Sequence, residues 1–235
     1  MSSDRPQLPR LIAQLARDAT PVTPLPSPAI RCGAWLLSAT AAAAIVTIVL
    51  GLRPHVGAHL QDTRFVAAAI ATFGLAVAAA ASAFVISVPG NGDRPGIRAL
   101  PLLAVLPWAT LLWWRLTAAA SADGIEPIAL LAATRWHPVC VLLILTIAAL
   151  PGIALFTMLR RAAPLHAWWT GALAALASLA LGGVGTQFVC PIDAPGHQLL
   201  WHFTPVVLLT FTGLFLGARF FDWRRLATGT IRGPR

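Results

Sequence analysis

Residues 138–190 read PVCVLLILTIAALPGIALFTMLRRAAPLHAWWTGALAALASLALGGVGTQFVC. Two apolar runs of about twenty residues flank a tight basic turn at Arg160 and Arg161. As helices, each is long enough to cross roughly 30 Å of hydrocarbon. A short turn between two such spans makes an antiparallel hairpin. Cys140 opens the first run and Cys190 closes the second. The two thiols therefore share one side of a membrane, opposite the arginine turn.

The rest of the chain agrees with this reading. It is 57% hydrophobic and only 11% charged, with a mean hydropathy of +0.76. A soluble domain carries about 25% charge, so the composition describes an integral membrane protein. The net charge of +9 comes from 17 basic residues, all of them Arg. Most lie beside apolar runs, the pattern of topological anchors rather than of a nucleic-acid surface. Residues 1–30 are polar and proline-rich, with no apolar core of a signal peptide.

Four further runs complete the count. The spans are expected at Cys32 to Gly51, Phe65 to Val88, Ala99 to about Ala119, the two of the hairpin, and Leu199 to about Phe221. Pro107 should bend the third. The predicted fold is an all-α integral membrane protein of six transmembrane helices. The expected divisions are an N-terminal segment at 1–31, a bundle at 32–221 and a basic tail at 222–235. Six spans put both termini on one side. That side collects thirteen arginines, among them Arg5, Arg10, Arg17 and Arg31, and the other side four: Arg53, Arg64, Arg115 and Arg135. The asymmetry places both termini in the cytoplasm. Tryptophans suggest two interfacial belts, Trp35, Trp168, Trp169 and Trp223 inside and Trp113, Trp114, Trp136 and Trp201 outside.

Ahead of the first span, Leu8, Leu11, Ile12 and Leu15 fall at helical spacing, with Arg10, Gln14, Arg17 and Asp18 on the other faces. This predicts a short cytoplasmic amphipathic helix over about 7–19. So short a segment cannot build its own core. Its apolar stripe either lies on the lipid surface or docks in a groove on another protein. The following PVTPLPSP, residues 21–28, is a semi-rigid spacer.

The outward side gathers Cys140 and Cys190 with His55, His59, His137, His197 and His202. His137 and Cys140 are one helical turn apart. CPIDAPGHQLLWHFTP, from Cys190 onward, returns His197 and His202 to the same corner. Three readings stay open. With His137, His197 and His202 as candidate ligands, the thiols can hold a soft metal ion tetrahedrally. They can form a disulfide or a redox-active pair, since that side permits disulfides. Or they are unpaired helix-end cysteines among interfacial histidines. Packed helices lie ~8–10 Å apart and a disulfide needs Cα atoms within about 7 Å. A bond requires the chain near Cys190 or Pro138 to lean inward. Cys32, at the other end of the first span, is read as a small buried residue.

Enzyme motifs are absent: no HExxH, GxSxG or phosphate-binding loop occurs, and the acidic residues fall in loops, tails or span ends. An ion-coupled transporter usually keeps a charge at the midplane, and none is expected here.

Taken together, LIAQLARDATPVTPLPSP at the N-terminus, the six spans, Cys140 and Cys190 at their separation, and LLWHFTP at the entry to the sixth span resemble the NrsF family of membrane anti-sigma factors. The resemblance covers nearly the whole chain. It implies a non-catalytic regulator in the bacterial inner membrane. The N-terminal segment, here Leu8, Leu11, Ile12 and Leu15, would sequester an extracytoplasmic-function sigma factor. Cys140 and Cys190 would take part in sensing oxidative or heavy-metal stress. No cofactor is expected beyond a soft metal ion at the thiols. The alternative is a small inner-membrane transporter, or an assembly factor handling metal or haem at the His/Cys corner.

Overall fold

The computed structural model describes residues 7–19, 24–91, 95–124, 126–127, 131 and 136–221. The basic tail at 222–235, with Trp223, and the first residues of the proline-rich spacer lie outside them.

The described chain is all-helical. Helix α1 (Gln7–Asp18) stands ahead of α2 (Pro28–Leu50), α3 (Thr63–Ile86), α4 (Pro95–Asp123), α5 (Pro138–Arg160), α6 (Ala167–Val189) and α7 (Pro195–Phe220). Among the described residues, six helices, α2 to α7, are long and apolar enough to cross a membrane. Local chemistry sets their ends. Ser27 caps α2, its hydroxyl accepting from the Ile30 N–H at 3.4 Å, and Pro28 takes the first helical position, where a missing N–H costs nothing. The helix thus begins four residues before the expected Cys32, because a proline read as spacer is a helix starter. Gly51 ends α2 at φ 95°, a conformation that favours glycine. Asp62 caps α3 by accepting from the Arg64 N–H at 2.9 Å.

Helix α6 occupies the middle. It packs against α7, α3, α5 and α2, and 83% of its apolar stretch is buried. Its sequence explains this: Gly, Ala and Ser dominate, and small residues let backbones approach closely where lipid supplies no hydrophobic drive between helices. The closest approach is to α7. A Cβ on Gly171 would run into the backbone of Gly213 and Gly217. Overpacking a buried site costs about 1–3 kcal/mol even against side chains, and backbone yields less. Gly171→Leu should therefore lower the thermal midpoint of the detergent-purified protein, or abolish its accumulation. A variant that purifies and melts like the parent would contradict this packing.

The other spans turn apolar side chains outward. Leu37, Ile45, Ile70, Leu103, Leu142, Ile153 and Phe215 are all exposed. Such faces would be a liability in water and suit a hydrocarbon solvent.

Two expected belt tryptophans sit elsewhere. Trp35 is fully buried, and its indole N–H donates to the Pro151 carbonyl at 3.0 Å. Trp201 is buried against the two cysteines. Position near a span end does not settle whether a ring faces lipid or a neighbouring helix. Trp113, Trp114, Trp136, Trp168 and Trp169 are exposed. Arg31, counted as an anchor, is buried: it donates to the Met158 carbonyl at 2.5 Å and lies over the Phe84 ring.

Candidate functional site

The hairpin α5–α6 brings Cys140 and Cys190 together at one end of the bundle. Cys140 lies in the first turn of α5, after Pro138 at the helix start. Cys190 follows the last residue of α6, where the backbone turns extended at φ −72°, ψ 122°. Pro191 comes next and cannot continue the helix. The sulfurs are 3.7 Å apart and both thiols are free.

Two histidines join them. His197 Nε2 lies 3.4 Å from each sulfur. The donor atoms of Cys140, Cys190, His197 and His202 all fall within 4.8 Å of one another, and all four residues are buried. A local irregularity makes this arrangement. In a regular α-helix, positions five apart point about 140° from each other. Residues Gln198–Phe203 form a π-helical turn, with the Thr204 N–H bonding the Leu199 carbonyl five residues back. The wider turn brings His197 and His202 to one face, with ring centroids 5.3 Å apart. Such turns recur at functional sites.

The separations suit a metal ion. A tetrahedral ion with bonds of ~2.3 Å to sulfur and ~2.0–2.1 Å to nitrogen sets its donors about 3.5–3.8 Å apart, close to the observed sulfur–sulfur and sulfur–nitrogen distances. Neither ring nitrogen of His202 has a partner at full hydrogen-bonding geometry, the nearest interaction being a looser one with Cys190, and His197 Nδ1 also has none. Buried polar atoms normally have partners, so a ligand role gives His202 a physical reason. The contact with the Cys140 sulfur lowers the Cys190 thiol from its ordinary value, against desolvation, which raises it. The thiolate is the form that binds metals and attacks oxidants.

Of the other candidates, His137 packs its ring edge-on against His197 at 5.1 Å between centroids, beside the group of four rather than in it. His59 reaches Asp193, Nδ1 to Oδ2, at 3.7 Å. Cys32 is buried in the main core, apart from the Cys140–Cys190–Trp201 cluster. Leu8, Leu11, Ile12 and Leu15 are each at least half exposed on α1.

The residues 190–197 are also held from outside, by contacts that sequence reasoning missed. Arg53 grips both carboxylate oxygens of Asp193, Nη1 to Oδ1 at 2.8 Å and Nη2 to Oδ2 at 2.5 Å. Its Nη2 also reaches the Pro191 carbonyl at 3.3 Å, and its own N–H donates to the Phe188 carbonyl at 2.8 Å. Arg115, counted among the opposite-side arginines, donates to Gln198 Oε1 at 2.6 Å and reaches the Asp193 carbonyl at 3.5 Å. An Asp three positions after Cys190, on the side assigned to Arg53 and Arg115, was the available signal.

Among the described residues, six helices long and apolar enough to cross a membrane carry a buried group of two cysteines and two histidines at one end, the features of a membrane protein. The chain belongs to the NrsF family, described as negative regulator of sigma F, which it matches over residues 15–223. The match contains the whole cluster and, of the α1 stripe, Leu15 alone. No curated protein and no solved structure matches the chain.

Proposed function

We propose that the protein is an inner-membrane anti-sigma factor whose α1 holds an extracytoplasmic-function sigma factor in the cytoplasm, and whose Cys140/Cys190 cluster releases it when a thiophilic metal ion or an oxidant arrives from outside. The family supports the sigma-factor partner. The observation that carries the sensing half is the group of four buried soft donors within 4.8 Å of one another. The α1 stripe supports the binding half: four large apolar side chains are exposed where no other described element covers them.

For the stimulus, the donor separations favour metal capture. An ion would displace the protons of both thiols and draw His202 onto a fourth position. Oxidation is a second reading, favoured by the sulfurs being in van der Waals contact at 3.7 Å. There the two thiols would give two electrons and two protons to a peroxide, which leaves as water, while a sulfur–sulfur bond of about 2.05 Å forms. Either event moves the chain at Cys190.

The test has two arms. Full-length protein should retain its cognate sigma factor when purified from resting membranes, and lose it after Cd2+ or peroxide is added to spheroplasts. Retention unchanged by both agents would reject the sensing half. Topology comes with it. Reporter fusions after residues 60, 125 and 194 should report the periplasm, and those after 93, 162 and 230 the cytoplasm. A cytoplasmic signal from the fusion at 194 would put the thiols on the wrong side for an external stimulus.

A further inference from the structure

Half of the cluster sits on a connection with little regular structure of its own. Cys190 and His197 bracket the loop Pro191–Ala194, and His202 follows within the π-turn. Loops of this kind are mobile unless tied down. This one is tied by two arginines from elsewhere in the fold. Arg53 follows directly on α2 and its side chain is 3% exposed. Arg115 projects from α4.

The chemistry of the contact is specific. A guanidinium fork matches a carboxylate with two parallel bonds, which fixes orientation as well as distance. Arg53 makes that pair with Asp193 and adds carbonyl contacts on either side of Cys190, at Gln187 and Pro191. Its guanidinium also lies over the Phe65 ring, 5.6 Å from the centroid. Arg115 holds the far end of the loop through Gln198, the residue after His197. One arginine therefore grips the chain around Cys190 and the other the chain around His197.

We propose that Arg53 and Arg115 are positioning residues for the Cys/His cluster, with the Arg53–Asp193 pair holding Cys190 and His197 at ligand separation from Cys140. The proposal deepens, and in its metal arm rests on, the reading of the cluster as a thiophilic sensor site. Partners that orient metal ligands from outside typically change metal affinity by about 10–100-fold when removed. The Arg53 side chain is buried and Asp193 is partly exposed, so losing the carboxylate strands a buried guanidinium, and losing the guanidinium removes what holds the loop. Because Arg53 lies just past Gly51, which ends α2, the same contact also ties the sensing loop to the chain at that end of α2.

The test uses the full-length protein in lipid nanodiscs, without the sigma factor. Alkylation rates of each cysteine are read by peptide mass spectrometry, and Cd2+ binding by its thiolate absorption band. Cys32, buried in the main core, reports whether the bundle is intact. Arg53→Gln and Asp193→Asn should each raise Cys190 alkylation about ten-fold and weaken Cd2+ binding about 10–100-fold, with Cys32 still protected. The double variant should be no worse than either single, since the two act as one unit. Exchanging the pair, Arg53→Asp with Asp193→Arg, should recover part of both losses. Unchanged Cys190 reactivity and Cd2+ binding in the singles would overturn the proposal. Should the neutral variants expose Cys32, Arg115→Gln decides instead. It spares the buried pair and should still weaken Cd2+ binding by about three-fold or more, and wild-type behaviour there overturns the proposal. If wild-type protein binds no Cd2+ but the alkylation changes appear, positioning stands and the metal reading of the site falls.

Discussion

Replacing Leu11 and Leu15 with Asp should free the sigma factor and switch on its regulon with no stimulus present. Both side chains are at least half exposed on α1, so the bundle has no need of them. Burying a leucine in a partner's groove contributes roughly 1.5–3 kcal/mol. Losing two weakens binding by about 10²–10⁴-fold, before the cost of placing carboxylates against an apolar groove. The change is confined to α1 and should leave the spans intact. Immunoblotting of the membrane fraction controls for this. Normal protein with a silent regulon would mean that the stripe lies on the lipid surface and that the sigma factor is held elsewhere. Because the family match starts at residue 15, single Asp substitutions at Leu8 and at Leu15 separate a general helix effect from one centred on the matched part.

The second large effect concerns the thiols. Cys140→Ser and Cys190→Ser should each abolish induction by Cd2+ and by peroxide, and the double variant should match either single. A shared ligand or bond cannot be half removed, so the substitutions should be non-additive. Serine is close to cysteine in size, and the pair sits in its own small cluster with Trp201, so the fold should persist. Cys32→Ser should leave the response intact, because Cys32 belongs to the separate main core. His202→Ala distinguishes the two stimuli. It removes one donor of four and should blunt the response to Cd2+ while sparing that to peroxide, which needs only the sulfurs. Equal loss of both responses would assign His202 to packing.

Much of the architecture could be read before any coordinates. Apolar runs of span length, interrupted by arginines and prolines, have few alternatives once the charge fraction is so low. The closeness of Cys140 and Cys190 follows from the same logic, since a short turn at Arg160 and Arg161 forces their ends of the hairpin together. What escaped were features set between elements. Trp35 looked interfacial because it lies near a span end, yet the carbonyl of Pro151 on α5 takes its indole N–H. His197 and His202 are five apart, a spacing that an α-helix spreads over different faces. Only the π-turn reconciles them, and no single-sequence signal marks a π-turn beyond that awkward spacing. Arg53 and Asp193 are 140 positions apart. A lone arginine and a lone aspartate on the same side of a membrane read as anchors until the fold pairs them.

The pairing also bears on how a signal would travel. Coupling needs a physical element with two arrangements that both sites bias. The loop 190–194 would have to be that element. One end carries a cluster ligand, its middle carries the carboxylate that Arg53 holds, and Arg53 lies just past Gly51, which ends α2. Closing the 3.7 Å between the sulfurs into a bond would pull Cys190 against the grip of Arg53. Helix α2 is about 35 Å long at 1.5 Å per residue, so even a small tilt at Arg53 displaces its far end, where Ser27 hands over to the spacer.

The most direct measurement is thiol counting on cells during induction. Cells are exposed to Cd2+ or peroxide, quenched in acid, and the membrane protein alkylated and weighed. Regulon activity is followed in the same culture. Cys140 and Cys190 should lose alkylation together, in step with induction, while Cys32 is unchanged. For Cd2+ the loss should reverse with a chelator, and for peroxide only with a reductant. Full induction with both Cys140 and Cys190 still alkylating as in resting cells would contradict the account.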